Sequence, residues 1–111
     1  MQHEEPRRLS VDDAAEIFEN GNPYDIAESL ISAALYLPDR GWVEQWLIHF
    51  TNHSSPDVRR ASALALGHLA RLHGAVSPQA VAAVTSLRVD VGLHGAANDA
   101  LEDVEIFTRG N

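Results

Sequence analysis

The sequence predicts an all-α fold, and three observations on its 111 residues carry that prediction. No stretch alternates apolar and polar residues with period two for long, as a half-buried strand would. Apolar residues recur instead at the three- and four-residue spacing of one helical face. The breakers Gly, Pro, Asn and Asp fall between those runs, at helix ends and not at hairpin spacing.

Each element has its own signals. Ser10, with Asp13 three residues on, opens a first helix whose apolar side is Ala14, Ala15 and Phe18, and Gly21 ends it. Asn22 and Pro23 open a second, with Ile26, Ala27, Leu30, Ile31, Ala34 and Leu37 on one face, and Pro38 stops it. Asp39 caps a third, with Val43, Trp46, Leu47 and Phe50 inward. After the turn His53-Ser54-Ser55-Pro56, the longest helix runs to His73 with Val58, Ser62, Ala65, Leu66 and Leu69 at helical spacing, and Gly74 stops it. Ser77 and Pro78 repeat the cap for a fifth helix lined by Ala80, Val81, Val84 and Leu87, and a sixth spans about Val91 to Phe107. One domain over residues 10–107 follows, with a flexible segment at 1–9 and a tail at 108–111.

Composition narrows the function. Cysteine is absent, which removes disulfide frameworks, thiolate zinc sites and cysteine nucleophiles together. The opening MQHEEPRRLSVDDAAE is acidic where a secretory signal is apolar, and no run approaches the roughly 18 apolar residues of a membrane span, so a cytoplasmic chain is expected. Sixteen acids against eight arginines give a formal charge of −8. The acid lies at the ends: residues 1–37 carry a net −6, residues 38–89 a net +2 and residues 90–111 a net −4. Phosphate binding needs positive surface, so nucleic acid is disfavoured and a basic protein partner favoured.

Pro56 to Leu69, PDVRRASALALGHL, resembles the second helix of a HEAT repeat, in which Asp and then Val-Arg open a helix that continues through small residues to Ala-Leu-Gly. Asp57, Val58, Arg59, Ser62, Ala65, Leu66, Gly67 and Leu69 are in register with that pattern. With Gly41 to Asn52 as first helix, residues 40–74 form one repeat. A shift of 35 residues places Ala97, Ala100, Leu101 and Val104 in the same slots, where Leu93-His94 replaces Val-Arg and Glu102 replaces Gly67. The resemblance implies a short right-handed α-solenoid of about three antiparallel helix pairs, six helices in all, with second helices on the concave side. It also implies a ladder of Asp–Arg bonds between neighbouring repeats, to which Asp57 and Arg59 would contribute. Gly67 costs about 1 kcal/mol against Ala inside a helix, and a close helix approach accounts for it. The stripe Ser62, Ala65 and Leu66 is where the first helix of the same pair is expected.

Reactive constellations are sparse. His49 and His53 share a helical face at the i, i+4 spacing of two metal ligands. Phe50 stands where the zincin pattern needs Glu, however, and no carboxylate completes the turn. Some HEAT-repeat proteins are iron-dependent hydroxylases with His-Glu ligands at repeated positions; the only His-Glu here is His3-Glu4, outside the predicted repeats. No GxSxG elbow exists. The expectation is therefore a chain without catalysis, cofactor or metal, monomeric, that binds a protein through carboxylates: Glu16 and Glu19 on helix one, and Asp99, Glu102 and Asp103 along one stripe of helix six. Of Trp42 and Trp46, one turn apart, one is expected in the core and Trp42 as an exposed anchor. A small acidic helical-repeat protein is similar to the immunity proteins that bacteria pair with secreted toxins, which implies neutralisation of a basic toxin, such as a nuclease. A general HEAT-repeat adaptor, or a small-ligand or metal-binding HEAT protein, is the alternative.

Overall fold

Four helices begin where a short polar side chain takes up a free amide. Ser10 Oγ accepts from Asp13 N at 3.0 Å, Asn22 Oδ1 from Asp25 N at 2.8 Å, Asp39 Oδ1 from Trp42 N at 3.0 Å and Ser77 Oγ from Ala80 N at 3.1 Å. They start α1 (Val11–Asn20), α2 (Pro23–Tyr36), α3 (Arg40–Phe50) and α5 (Pro78–Thr85) in the computed structural model, which describes residues 8–109. The remaining helices are α4 (Pro56–His73) and α6 (His94–Phe107), and no strand occurs among the described residues. Gly74 closes α4 in the left-handed region at φ 68°, where a side chain would be strained.

Three helix ends differ from expectation. Ser55 makes no side-chain cap bond to α4; its own N–H donates to His53 Nδ1 at 2.9 Å. The sixth helix starts at His94, three residues late, because the Asp90 carboxylate accepts from Gly92 N at 3.0 Å and holds Val91–Leu93 in a 3-10 turn. The fifth helix likewise ends at Thr85, and Leu87 is buried from a second 3-10 turn, Ser86–Val89. Of the expected flexible segment at 1–9 and the tail at 108–111, residues 1–7 and 110–111 lie outside the described residues, as does His3-Glu4. Leu9 packs into the core, and the Arg8 guanidinium lies 4.6 Å from the Tyr36 ring centre.

α4 is the axis of the molecule. It packs on α2 and α6 at its sides and on α3 and α5 behind, while α1 rests on α2. The helices thus stack as the successive pairs α1/α2, α3/α4 and α5/α6. The core is Leu30, Val43, Leu47, Phe50, Val58, Leu66, Leu69 and Val84, with Phe18 of α1 closing one end. The Phe18 ring sits 4.9 Å from Trp46 and 5.4 Å from Phe50, so α1 is tied to α3 by aromatic contact. Ser62 is fully buried and satisfied, its hydroxyl donating to Val58 O at 3.2 Å.

Gly67 faces α6 at close range. A Cβ there would stand 3.0 Å from Asp103 Oδ2 and 3.7 Å from the Ala100 Cα, so the close approach is to the neighbouring pair. The carboxylate can swing aside, whereas the Ala100 backbone cannot. Gly67→Ala should therefore change stability by less than about 1 kcal/mol, the helix propensity gained offsetting the displaced carboxylate. Gly67→Val should cost about 1–3 kcal/mol by overpacking. Urea melts of both variants check this ordering.

Glu44 ties α3 to the start of α5. It is a buried carboxylate that accepts from Ser77 N at 2.8 Å, with Arg40 Nε 3.8 Å away. Glu44→Ala removes the acceptor from a partly buried amide and should lower the stability seen in urea denaturation by about 1–3 kcal/mol.

Candidate functional site

α2, α4 and α6 lie side by side and form one face. Two ion pairs set the register of α6 on α4: Arg59 Nη2 to Asp90 Oδ2 at 3.2 Å, and Arg71 Nη1 to Asp103 Oδ2 at 3.2 Å. The partners are 31 and 32 residues apart, so α4 and the segment through α6 run parallel. The Arg59–Asp90 bond joins adjacent pairs, but Asp57 makes no ion pair among the described residues and Asp90 lies two residues before the slot that the 35-residue shift gives it, so this is not the expected ladder. Arg59 also donates to His53 O at 2.7 Å and Ser54 O at 3.1 Å, which fixes the turn before α4.

Two grooves run along this face. The α2–α4 groove, about 380 Å³, is lined by Tyr24, Glu28 and Ile31 from α2 and by Asp57, Arg60 and Leu64 from α4. The α4–α6 groove, about 200 Å³, is lined by Leu64, Gly67, His68, Arg71, Asp99 and Asp103. Leu64 belongs to both and forms the ridge between them. Small residues line both hollows, Ala27 and Ala61 in the first and Ala63, Gly67, Ala96 and Ala100 in the second, and their shortness leaves the space open.

In the second groove Arg71 is held within the lining, while Asp99 makes no ion pair among the described residues. Arg71 shares its two terminal nitrogens between Asp103 and the Nδ1 of His68, the latter at 2.6 Å. A guanidinium can only donate, so Nδ1 is the acceptor and the imidazole proton sits on Nε2. Burial, and then the Arg71 charge, lower the His68 pKa below its ordinary 6.5; Asp103 opposes them and does not win.

The expected partner-binding residues fall into two groups. Asp99 and Glu102 are exposed on α6, while Asp103 on the same stripe is partly covered and paired to Arg71. Glu16 and Glu19 are exposed on α1, where Glu16 accepts from Asn20 Nδ2 at 3.0 Å and lines a depression with Arg8 and Asp13. Since α1 rests on α2 and α6 on α4 and α5, the two acidic groups occupy opposite ends of the stack. Trp42 is half-buried, its ring 6.0 Å from Phe18 and 6.2 Å from Trp46. His53 is engaged through Nδ1 with Ser55, and His49 packs edge-on against Trp46. Among the described residues no cluster of three or more His, Asp or Glu is placed to hold a metal ion, and no helix is long and apolar enough to cross a membrane.

Sequence reasoning passed over Tyr24 and Leu64, large apolar side chains that are 71% and 38% exposed. The signal was present. Each stands off the buried stripe of its helix, Tyr24 beside Pro23 in the first turn of α2 and Leu64 opposite the Val58, Ser62, Leu66 and Leu69 side.

Among solved structures, the chain is similar to one in the crystal structure of a CDI complex from Cupriavidus taiwanensis. The two are 32% identical with a TM-score of 0.83, over 96% of this chain and 97% of that one. The chain belongs to the family of that CDI-complex chain. The likeness extends over nearly the full length of both, so the stack of helices is shared as a unit and not as one pair. No protein-family profile, the HEAT repeats included, and no curated protein matches the chain.

The His68 arrangement sets a pH dependence. Its folded-state pKa is depressed, so as pH falls the unfolded chain takes up the proton first. The stability from a neutral His68 is present in full above about pH 6.5 and is lost as pH falls below that value. Urea midpoints at pH 8 and pH 5 should therefore separate more in the wild type than in His68→Gln; equal separations would contradict the assignment.

Proposed function

We propose that the chain is a non-catalytic immunity protein that binds the toxin domain of a CDI system in the cytoplasm and neutralises it. The observation that carries the reading is the end-to-end relationship to a chain of a CDI complex. The fold is compatible with such a role: a rigid helical stack presents side chains at fixed spacing and needs no rearrangement to bind.

The acidic ends supply the mechanism. Three ion pairs occur among the described residues, through Glu44, Asp90 and Asp103. Asp99 and Glu102 on α6, and Glu19 on α1, have no such pair there and face solvent. Carboxylates of this kind raise the rate of encounter with a basic partner and repel acidic ones. A nuclease toxin is the fitting target, because a surface built to hold phosphates is positive and a carboxylate row can occupy it. In this reading Glu16, Glu19, Asp99, Glu102 and Asp103 meet the toxin, with Trp42 alongside α1. Asp103 contributes as a member of the Arg71 pair and the others as free charges.

Association of the protein with the toxin domain of its own host's CDI system, followed by surface plasmon resonance, tests the proposal. The on-rate should fall steeply as salt is raised. The Asp99→Lys, Glu102→Lys double variant should slow association by about tenfold with an unchanged melting temperature. Tight association insensitive to both changes would sink the acidic-surface mechanism, and no association with that toxin would sink the immunity reading itself.

A further inference from the structure

We infer that the α2–α4 groove is an anchor pocket for the toxin, taking one apolar side chain flanked by a lysine or arginine. The inference rests on the immunity reading above and adds a contact site on neither of the acidic end helices.

Three features support it. The groove is apolar where it is deepest, with Ala27, Ile31 and Ala61 as floor and Tyr24 and Leu64 as walls, and about 380 Å³ accommodates a large side chain with its backbone. Tyr24 keeps 71% of its surface in solvent at the mouth. A tyrosine beside an apolar hollow is the composition of an interaction hot spot, and covering the pair removes apolar surface from water. The second feature is charge. Glu28, Asp57 and Arg60 line the groove, and none of them has an ion pair or a side-chain hydrogen bond among the described residues. In the neighbouring α4–α6 groove Asp103 is held by Arg71 and Asp99 is the carboxylate left over, so the two grooves differ in that all three charged groups of the first are unpaired. An excess of one carboxylate at the first groove selects a cation beside the inserted side chain, while Arg60 calls for a carbonyl or carboxylate on the other side. The third feature is shape. A groove walled by a mostly exposed tyrosine covers too little of a small molecule, which is held by burying most of its surface, whereas a protein partner brings the remaining cover itself.

The test uses the same toxin domain and the full chain, with Tyr24→Ala and Leu64→Asp measured beside wild type by calorimetry and by dissociation rate. Each variant should weaken binding by at least about tenfold, mainly through faster dissociation, with the salt dependence of association kept. The ring of Tyr24 stands largely in solvent, so Tyr24→Ala should melt with wild type and remains decisive even where Leu64→Asp fails to fold. If wild type binds the toxin and Tyr24→Ala binds it equally well, the groove is not a contact site, and the immunity reading survives. If wild type binds no toxin, both readings fall. Self-association of wild type in sedimentation that Tyr24→Ala abolishes, with toxin affinity intact, would overturn the inference by showing a second copy as occupant.

Discussion

The close approach of α4 to its neighbours constrains the rest of the molecule. Ala61, Ser62, Ala63, Ala65, Gly67 and Ala70 are all buried along it, and side chains this short let other helices come near on several sides. They contribute little buried area themselves, so the larger share of apolar burial falls to Val58, Leu66 and Leu69 and to Leu30, Leu47, Phe50 and Val84 from the surrounding helices. The same shortness leaves hollows between helices on the outer face. Packing and groove have one cause, and a substitution that filled either groove from α4 would disturb the helix that holds the fold together.

Charge is arranged by the same division. Three arginines of the central stretch are paired so as to fix geometry: Arg59 to the turn before α4 and to Asp90, Arg71 to His68 and Asp103, and Arg40 to the buried Glu44. Asp99 and Glu102 on α6 and Glu16 and Glu19 on α1 are left to solvent, where like-charge repulsion costs a few tenths of a kcal/mol per pair. Three arginines and three acids cancel in these pairs, so the formal −8 is carried by the groups that remain unpaired.

The helices were legible because their signals are local. Ser10, Asn22, Asp39 and Ser77 each stand three residues before the amide they accept from, and Pro38 and Gly74 mark stops, so all six helices can be placed from the chain alone. The errors fall where a local signal competes with a nonlocal or unusual one. Apolar spacing beginning at Val91 suggests helix, but the Asp90 carboxylate and the weak propensity of Gly92 delay it to His94. The site was legible in part. Acidic residues on one stripe of α6 can be counted from spacing, yet that Asp103 is spoken for depends on Arg71, which lies 32 residues earlier. Trp42 follows the same logic: helical spacing puts it near Trp46, and only the docking of α1 brings the Phe18 ring against both. The Tyr24 and Leu64 groove belongs to two helices at once, so a reading of one helix at a time sees only two apolar residues on the wrong side.

Both tryptophans of the chain stand on α3, one turn apart, against Phe18 and Phe50. Intrinsic fluorescence therefore watches the half of the stack where α1 meets α3, and α6 is dark to it. In a molecule built by serial stacking, unravelling that began at the carboxyl-terminal pair would erase circular dichroism before it altered emission. Coincidence of the two signals would mean that α4 couples all the hairpins into a single cooperative unit.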